Sequence, residues 1–158
     1  MCFQLIDVTI SSVGADLRKL ESVRKISKLI LLVLVLSAGI ALDLAPIRVP
    51  AGVDKLYHFI GFALITVLTI STYISFFCKK NINLFLMSLL VFGGIFGGFS
   101  EFLQQFVALR DCSVSDWLAN LLAVIIVVVF TFLKASKEKK NIESSESQFD
   151  VKDLPIIF

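Results

Sequence analysis

Four long apolar runs decide what this chain can fold into. They cover residues 26–47, 56–78, 84–103 and 114–133. About 20 apolar residues let an α-helix cross the hydrocarbon core of a bilayer, where backbone polar groups must be satisfied within the helix itself. The four runs take up more than half of the 158 residues, and 57% of all residues are hydrophobic. The sequence therefore predicts an all-α integral membrane protein, a bundle of four transmembrane helices, with no room for a sizeable soluble domain.

The polar stretches outside the runs divide the chain into three parts. Residues 1–26 are predicted to form a cytoplasmic N-terminal segment, 27–133 the membrane domain and 134–158 a cytoplasmic polar tail. The tail is rich in Lys, Glu and Ser, which is typical of a solvated segment. The first run has two interpretations. It is either an uncleaved anchor, which the long lead before it favours, or a signal peptide that is removed.

The distribution of Lys and Arg predicts the orientation of the chain. If the runs alternate in direction, eleven of these residues flank one face of the membrane and three flank the other. The larger group is Arg18, Lys19, Arg24, Lys25, Lys28, Lys79, Lys80, Lys134, Lys137, Lys139 and Lys140, and the smaller is Arg48, Lys55 and Arg110. Lys and Arg concentrate on the cytoplasmic side of membrane proteins. We therefore expect a multi-pass protein of the inner (cytoplasmic) membrane with both termini in the cytoplasm.

The same charge distribution limits the classes of partner. The net charge is only +2, and the basic residues flank the apolar runs instead of forming a stripe. A nucleic-acid partner is therefore not expected. Membrane lipid is the expected surrounding of the four runs, and the oligomeric state is left open.

Three pairs of polar residues lie within or at the edges of the last three runs. The pairs are Asp54 with His58, Glu101 with Gln104, and Asp116 with Asn120. Spacings of three or four residues place each pair on one face of its helix, and alternating runs bring all three pairs to the outer side of the membrane. A charged group in hydrocarbon costs roughly 3 kcal/mol or more and rarely persists without a function. The pairs therefore predict one outward-facing polar cluster.

The residue types in this cluster leave its chemistry open. His58, Glu101 and Asp116 are the candidate catalytic residues, because imidazole and carboxylate groups act as general acids and bases. The same groups are also possible ligands of a divalent metal. Helix capping is the alternative role of Asp54 and Asp116. A fixed polar network that holds the outer ends of the helices together, or that binds a polar ligand there, is the alternative for the cluster as a whole. However, the chain has a single His and no His-Glu-x-x-His signature, so neither a metal nor another cofactor is predicted.

Glycines share a face of the third run with two of these polar residues. Gly94, Gly97, Glu101 and Gln104 follow one another at steps of three, four and three. Small residues at such spacing let membrane helices approach closely. The glycine face is therefore expected to pack inward and to carry Glu101 with it. A buried glutamate needs a partner, for which His58, Lys55 and Arg110 are the candidates, or it is itself protonated.

The polar residues also stand in a characteristic order along the chain. The order is Asp54-Lys55-Leu56-Tyr57-His58-Phe59-Ile60-Gly61-Phe62, then Glu101-Phe102-Leu103-Gln104, then Arg110, then Asp116-Trp117-Leu118-Ala119-Asn120. This set resembles the VanZ-like family, whose outline is Asp-Lys-x-x-His-Phe-x-x-Phe/Tyr, a later Glu-x-x-Gln, an Arg and Asp-x-x-x-Asn. The resemblance covers residues from about 27 to 133. One departure is Ala123, where family members usually have Gly.

The resemblance implies a setting more than an activity. The family is named for a membrane protein linked to resistance to the glycopeptide teicoplanin, so it implies a bacterial inner-membrane protein of the cell envelope. The expected function is binding of an envelope component, such as a lipid headgroup or a glycopeptide, at the outward polar site. The alternative is a membrane-embedded hydrolase or transferase that acts on a lipid-linked substrate. A small transporter ranks last, because the inner halves of the second and third runs carry few polar groups beyond Ser and Thr.

Overall fold

The computed structural model describes residues 2–47, 50–77, 81–107 and 112–148. They form four helices: α1 (Cys2–Asp43), α2 (Ala51–Phe77), α3 (Ile82–Gln104) and α4 (Val114–Gln148). No strand occurs in these ranges, and the predicted all-α bundle of four helices is confirmed. Each helix contains a segment long and apolar enough to cross a membrane, the shortest having 23 residues. Such a helix is about 35 Å long, which exceeds the hydrocarbon thickness of a bilayer.

The helices alternate in direction, and α4 lies at the centre of their packing. The most extensive contacts are those of α4 with α2 and with α3, whereas α1 packs mainly on α2. The buried apolar side chains between them are Phe62, Ile70, Leu86, Ala123, Val124 and Val128. Large apolar residues also cover the outer surface of all four helices. Lipid is as apolar as this core, so close packing and interhelical hydrogen bonds hold the bundle together.

The glycines of α3 allow its close approach to α4, as their spacing predicted. A Cβ atom added at Gly93 would lie 3.0 Å from both methyl groups of Val124, and one at Gly97 would lie 3.2 Å from the Cβ of Asn120. The indole Nε1 of Trp117 donates a hydrogen bond to the carbonyl oxygen of Gly94 at 3.0 Å. Ala123, at the position where the resemblance led us to expect Gly, is fully buried.

The helix boundaries differ from the edges of the apolar runs. α1 ends at Asp43, shortly before Pro46, although the first run continues to residue 47. α2 begins at Ala51, five residues before its run, because the Pro50 carbonyl accepts bonds from the N–H groups of Val53 and Asp54. Proline cannot donate in a helix interior, but it is well tolerated at the beginning of one.

Both ends of the predicted membrane domain fall within continuous helices. α1 crosses the boundary between residues 26 and 27, and α4 crosses that between 133 and 134. The three predicted parts are therefore not separated by a break in helical structure. Asn81 is the N-cap residue of α3, lies in the left-handed region with φ of 53° and makes no side-chain capping bond.

Candidate functional site

The three polar pairs of the sequence meet at one end of the bundle. We call Asp54, His58, Glu101, Gln104, Asp116 and Asn120 the polar cluster. The start of α2, the end of α3 and the start of α4 supply these residues. His58, Gln104 and Asn120 are at most 1% exposed. A group of ionisable and amide side chains is thus enclosed by three helices in an otherwise apolar protein.

His58 lies at the centre of the cluster. Its Nε2 is 3.9 Å from Asp54 Oδ1, and its Nδ1 is 3.7 Å from Glu101 Oε1. The amide Nε2 of Gln104 is 3.4 Å from His58 Nε2. One imidazole therefore faces carboxylates from two helices, one on each side of the ring. This arrangement suits a group that holds or transfers a proton.

Glu101 joins the end of α3 to the start of α4. Its Oε2 accepts a hydrogen bond from the backbone N–H of Ser113 at 3.3 Å. The Ser113 carbonyl accepts bonds from the N–H groups of Asp116 and Trp117, so Ser113 is the N-cap residue of α4. In a capping box, the acidic residue at the third helical position binds this N–H. Here Glu101 does so instead of Asp116.

The two aspartates of the cluster lie in the first turns of their helices. Asp54 belongs to the first turn of α2 and Asp116 to that of α4, where the helix dipole favours a negative charge. Neither residue is the N-cap, since Pro50 and Ser113 supply the first carbonyl acceptors. Asp116 is only 4% exposed. Asp54 and Asp116 therefore do not act as N-cap residues, and each interacts favourably with the dipole of its helix instead.

Much of the hydrogen-bonding capacity of the cluster is not used by the described residues. Five buried atoms of the cluster have no hydrogen-bond partner in the part of the chain that the structure describes: Glu101 Oε1, Gln104 Oε1, Asp116 Oδ1, Asn120 Oδ1 and Asn120 Nδ2. A buried polar atom without a hydrogen bond costs about 1–3 kcal/mol. Native proteins rarely leave such atoms, and a concentration of them in one place requires an explanation. The cluster does not satisfy itself as a purely structural network would.

Two further residues were predicted for the site, Lys55 and Arg110. Lys55 is exposed, and no ion pair joins it to a carboxylate among the described residues. Arg110 lies outside the described residues. Of the three proposed partners of Glu101, the structure brings His58 within contact distance.

Three polar residues outside the predicted set also belong to this end of the bundle. Ser100 donates a hydrogen bond to Asp43 Oδ2 at 2.6 Å, which ties the end of α1 to α3. Ser113 binds Glu101, as described above. The position of Asp43 at the outer edge of the first run was a signal in the sequence. The sequence could not show that Ser100 is the partner of Asp43, because this pairing depends on how α1 and α3 are rotated against each other.

A small cavity lies beside His58. Its volume is about 30 Å³, and its lining includes Asp43, Tyr57 and His58 together with apolar residues of α1, α2 and α3. A cavity needs roughly 10–15 Å³ of such volume to hold one water molecule. The imidazole therefore has room for a solvent molecule on the side of α1.

Comparison with known proteins supplies no relative for this chain. No family model matches it, and neither the curated proteins nor the solved structures contain a match. The candidate function therefore depends on the geometry of the polar cluster and on the motif resemblance.

Proposed function

We propose that the chain is a VanZ-like bacterial membrane protein of the cell envelope that binds an envelope component at the polar cluster. The component would be a lipid headgroup or a glycopeptide, and its binding would contribute to resistance to glycopeptides of the teicoplanin type. The observation that carries the binding role is the group of five unpartnered buried atoms on Glu101, Gln104, Asp116 and Asn120. The envelope setting and the glycopeptide come from the motif resemblance.

The chemistry of these atoms supports a ligand more than a structural role. Four of the five are oxygens, which accept hydrogen bonds or bind cations. A ligand with donor groups or a positive charge would complete them. Selection for stability alone would favour apolar side chains of similar size, because a half-satisfied polar network is less stable than an apolar core.

The proposed orientation places the cluster on the outer side of the membrane. It rests on the excess of Lys and Arg at the opposite end of the helices. Single cysteines at Ser115 and Ser136, in a background with Cys2, Cys78 and Cys112 replaced by Ser, can test it. A membrane-impermeant thiol reagent added to whole cells should label the Ser115→Cys protein and spare Ser136→Cys. The reverse labelling would place the cluster in the cytoplasm and remove the proposed envelope function.

Susceptibility testing addresses the function itself. A strain that expresses the wild-type chain should tolerate more teicoplanin than the empty strain, and Glu101→Ala should abolish the difference. Glu143→Ala is the matched control, because this carboxylate is exposed and belongs to the far part of α4. Vancomycin and other envelope agents show how specific the effect is. Equal tolerance with the wild type and Glu101→Ala, at equal protein levels, would contradict the proposal.

A second candidate function is a membrane-embedded hydrolase or transferase that acts on a lipid-linked substrate. The contact of His58 with carboxylates on both sides of its ring favours it. Glu101 or Asp116 would take the proton of the attacking hydroxyl or water, and His58 would give a proton to the leaving group. Accumulation of a cleaved or transferred lipid product with the wild type, and not with His58→Gln, would distinguish this function from binding.

A further inference from the structure

The polar cluster contains a set of atoms suited to a metal ion. One carboxylate oxygen of Asp54, one ring nitrogen of His58 and one carboxylate oxygen of Asp116 all lie within 4.8 Å of one another. Asp54 and Asp116 lie in the first turns of α2 and α4, and His58 lies one turn after Asp54 on α2. Two carboxylate oxygens and an imidazole nitrogen are common ligands of a divalent transition metal.

We propose that Asp54, His58 and Asp116 bind a divalent metal ion, with Zn²⁺ as the best-suited probe. Zinc binds nitrogen and oxygen ligands at about 2.0–2.2 Å, so ligands around one ion lie roughly 3–4 Å apart. The separation of 3.9 Å between His58 Nε2 and Asp54 Oδ1 agrees with this spacing. Three protein ligands leave at least one coordination position for water or substrate, as in catalytic zinc sites.

The surroundings of His58 provide the second support for a metal. If Nε2 binds the ion, Nδ1 carries the ring proton and faces Glu101 Oε1 at 3.7 Å. The backbone N–H of Ser113 in turn holds Glu101. A carboxylate that orients the second nitrogen of a metal-bound His is a recurrent feature of such sites. Glu101 is therefore a positioning residue in this proposal, and not a ligand.

The unpartnered atoms offer further ligands. Asp116 Oδ1 and Gln104 Oε1 have no partner among the described residues, and both side chains are more than nine-tenths buried. The amide of Gln104 reaches His58 Nε2 through its own Nε2 at 3.4 Å, and a rotation of the amide by about 180° would present Oε1 to the ion instead. An ion at this position would turn the cost of these buried oxygens into favourable coordination. The sequence has no compact metal-binding motif because the ligands are divided between α2 and α4.

This inference deepens the proposed function, on which it rests, because the ion would form part of the ligand site. The test uses the full-length protein purified in detergent, stripped with a chelator and titrated with Zn²⁺. Wild type should bind about one Zn²⁺ per chain. His58→Gln and Asp116→Asn should lose this binding, and Glu101→Gln should weaken it on the order of 10- to 100-fold.

Controls separate loss of the metal from loss of the fold and from failure of the proposed function. Asp43→Asn removes a carboxylate at the same end that is outside the ligand set, and it should bind Zn²⁺ like wild type. Every variant is compared at equal helical content and elution volume. If folded wild type binds neither Zn²⁺ nor Mn²⁺, the proposed metal site is wrong, even if Glu101→Ala still abolishes teicoplanin tolerance. Zinc binding that His58→Gln removes would uphold the site, even if tolerance is unchanged and the envelope function fails.

Discussion

The two ends of the bundle bury polar side chains in different ways. At the end opposite the polar cluster, hydroxyl groups bond to the backbone of their own helices: Ser75 to the carbonyl of Ser71 and Thr131 to that of Val127, each at 2.8 Å. These short bonds need no neighbouring helix. In the polar cluster, amide and carboxylate side chains rely on other helices and leave five buried atoms without a partner in the described chain.

The surroundings of the two ends differ as well. The opposite end has an open groove of about 510 Å³, lined mainly by apolar residues together with Lys28, Lys134 and Glu138. Lys28 donates a hydrogen bond to Ser75 at 2.8 Å. Charges there stand near the edge of the bilayer, where long side chains reach water. The cluster encloses its charges within three helices, so the free-energy cost of burying polar groups is concentrated there among the described residues. Thr72, whose buried hydroxyl also has no partner within the described ranges, is an isolated exception.

The largest expected effect follows from removing the central group of the cluster. His58→Ala should lower the free energy of unfolding in detergent by about 3–5 kcal/mol, because it leaves buried carboxylates without their imidazole neighbour. Glu101→Gln, which keeps the shape and removes a charge, should cost less. Thermal melting of both variants checks the order. Greater damage from Glu101→Gln would make charged Glu101 the main structural support of this end.

Glycine substitutions in α3 and in α2 are expected to have smaller effects, of opposite sign, on the free energy of unfolding. Gly93→Ala places a methyl group 3.0 Å from the buried side chain of Val124, and overpacking of this kind costs about 1–3 kcal/mol. Gly61→Ala is the matched control in α2, where an added Cβ meets nothing within 4 Å. It should gain up to about 1 kcal/mol from helix propensity. Equal melting temperatures for the two variants would show that α3 and α4 are not held by close approach.

The smallest effect is expected at the opposite end. Thr131→Val removes a hydroxyl that bonds only to its own helix, so the free energy of unfolding should change by less than about 0.5 kcal/mol. The melting curve of the purified variant measures this. A loss well above that range would mean that the opposite end also depends on specific polar contacts, and the contrast between the two ends would disappear.

Much of this architecture could be predicted from the sequence. The features that could not be predicted have a physical cause. The four apolar runs and the inward glycine face follow from the thickness of the bilayer and from helix periodicity, which are local properties. The bonds from Ser100 to Asp43 and from Ser113 to Glu101 depend on helix rotation and on the loop before α4. The full lengths of α1 and α4 could not be predicted either, since hydropathy marks where lipid contact ends and not where a helix ends.

The same limit applies to the candidate site. The spacing of the pairs indicated which residues share a helix face, and alternation indicated which end they reach. It could not indicate that Asp54, His58 and Asp116 approach closely enough to hold an ion. Nor could it indicate that Asn120 is buried with both polar atoms unpartnered in the described structure, because partners come from side-chain positions on neighbouring helices.

One measurement tests most directly whether the polar cluster is kept for a ligand at the expense of stability. Leu has the branched shape of Asn without its polar atoms, and both polar atoms of Asn120 are buried without a described partner. Asn120→Leu should therefore raise the free energy of unfolding of the chelator-treated protein by about 1–2 kcal/mol. For a chain of this size, that corresponds to roughly 2–4 °C in Tm for each kcal/mol. A Tm below that of wild type would contradict the account, because the amide would then stabilise the bundle itself.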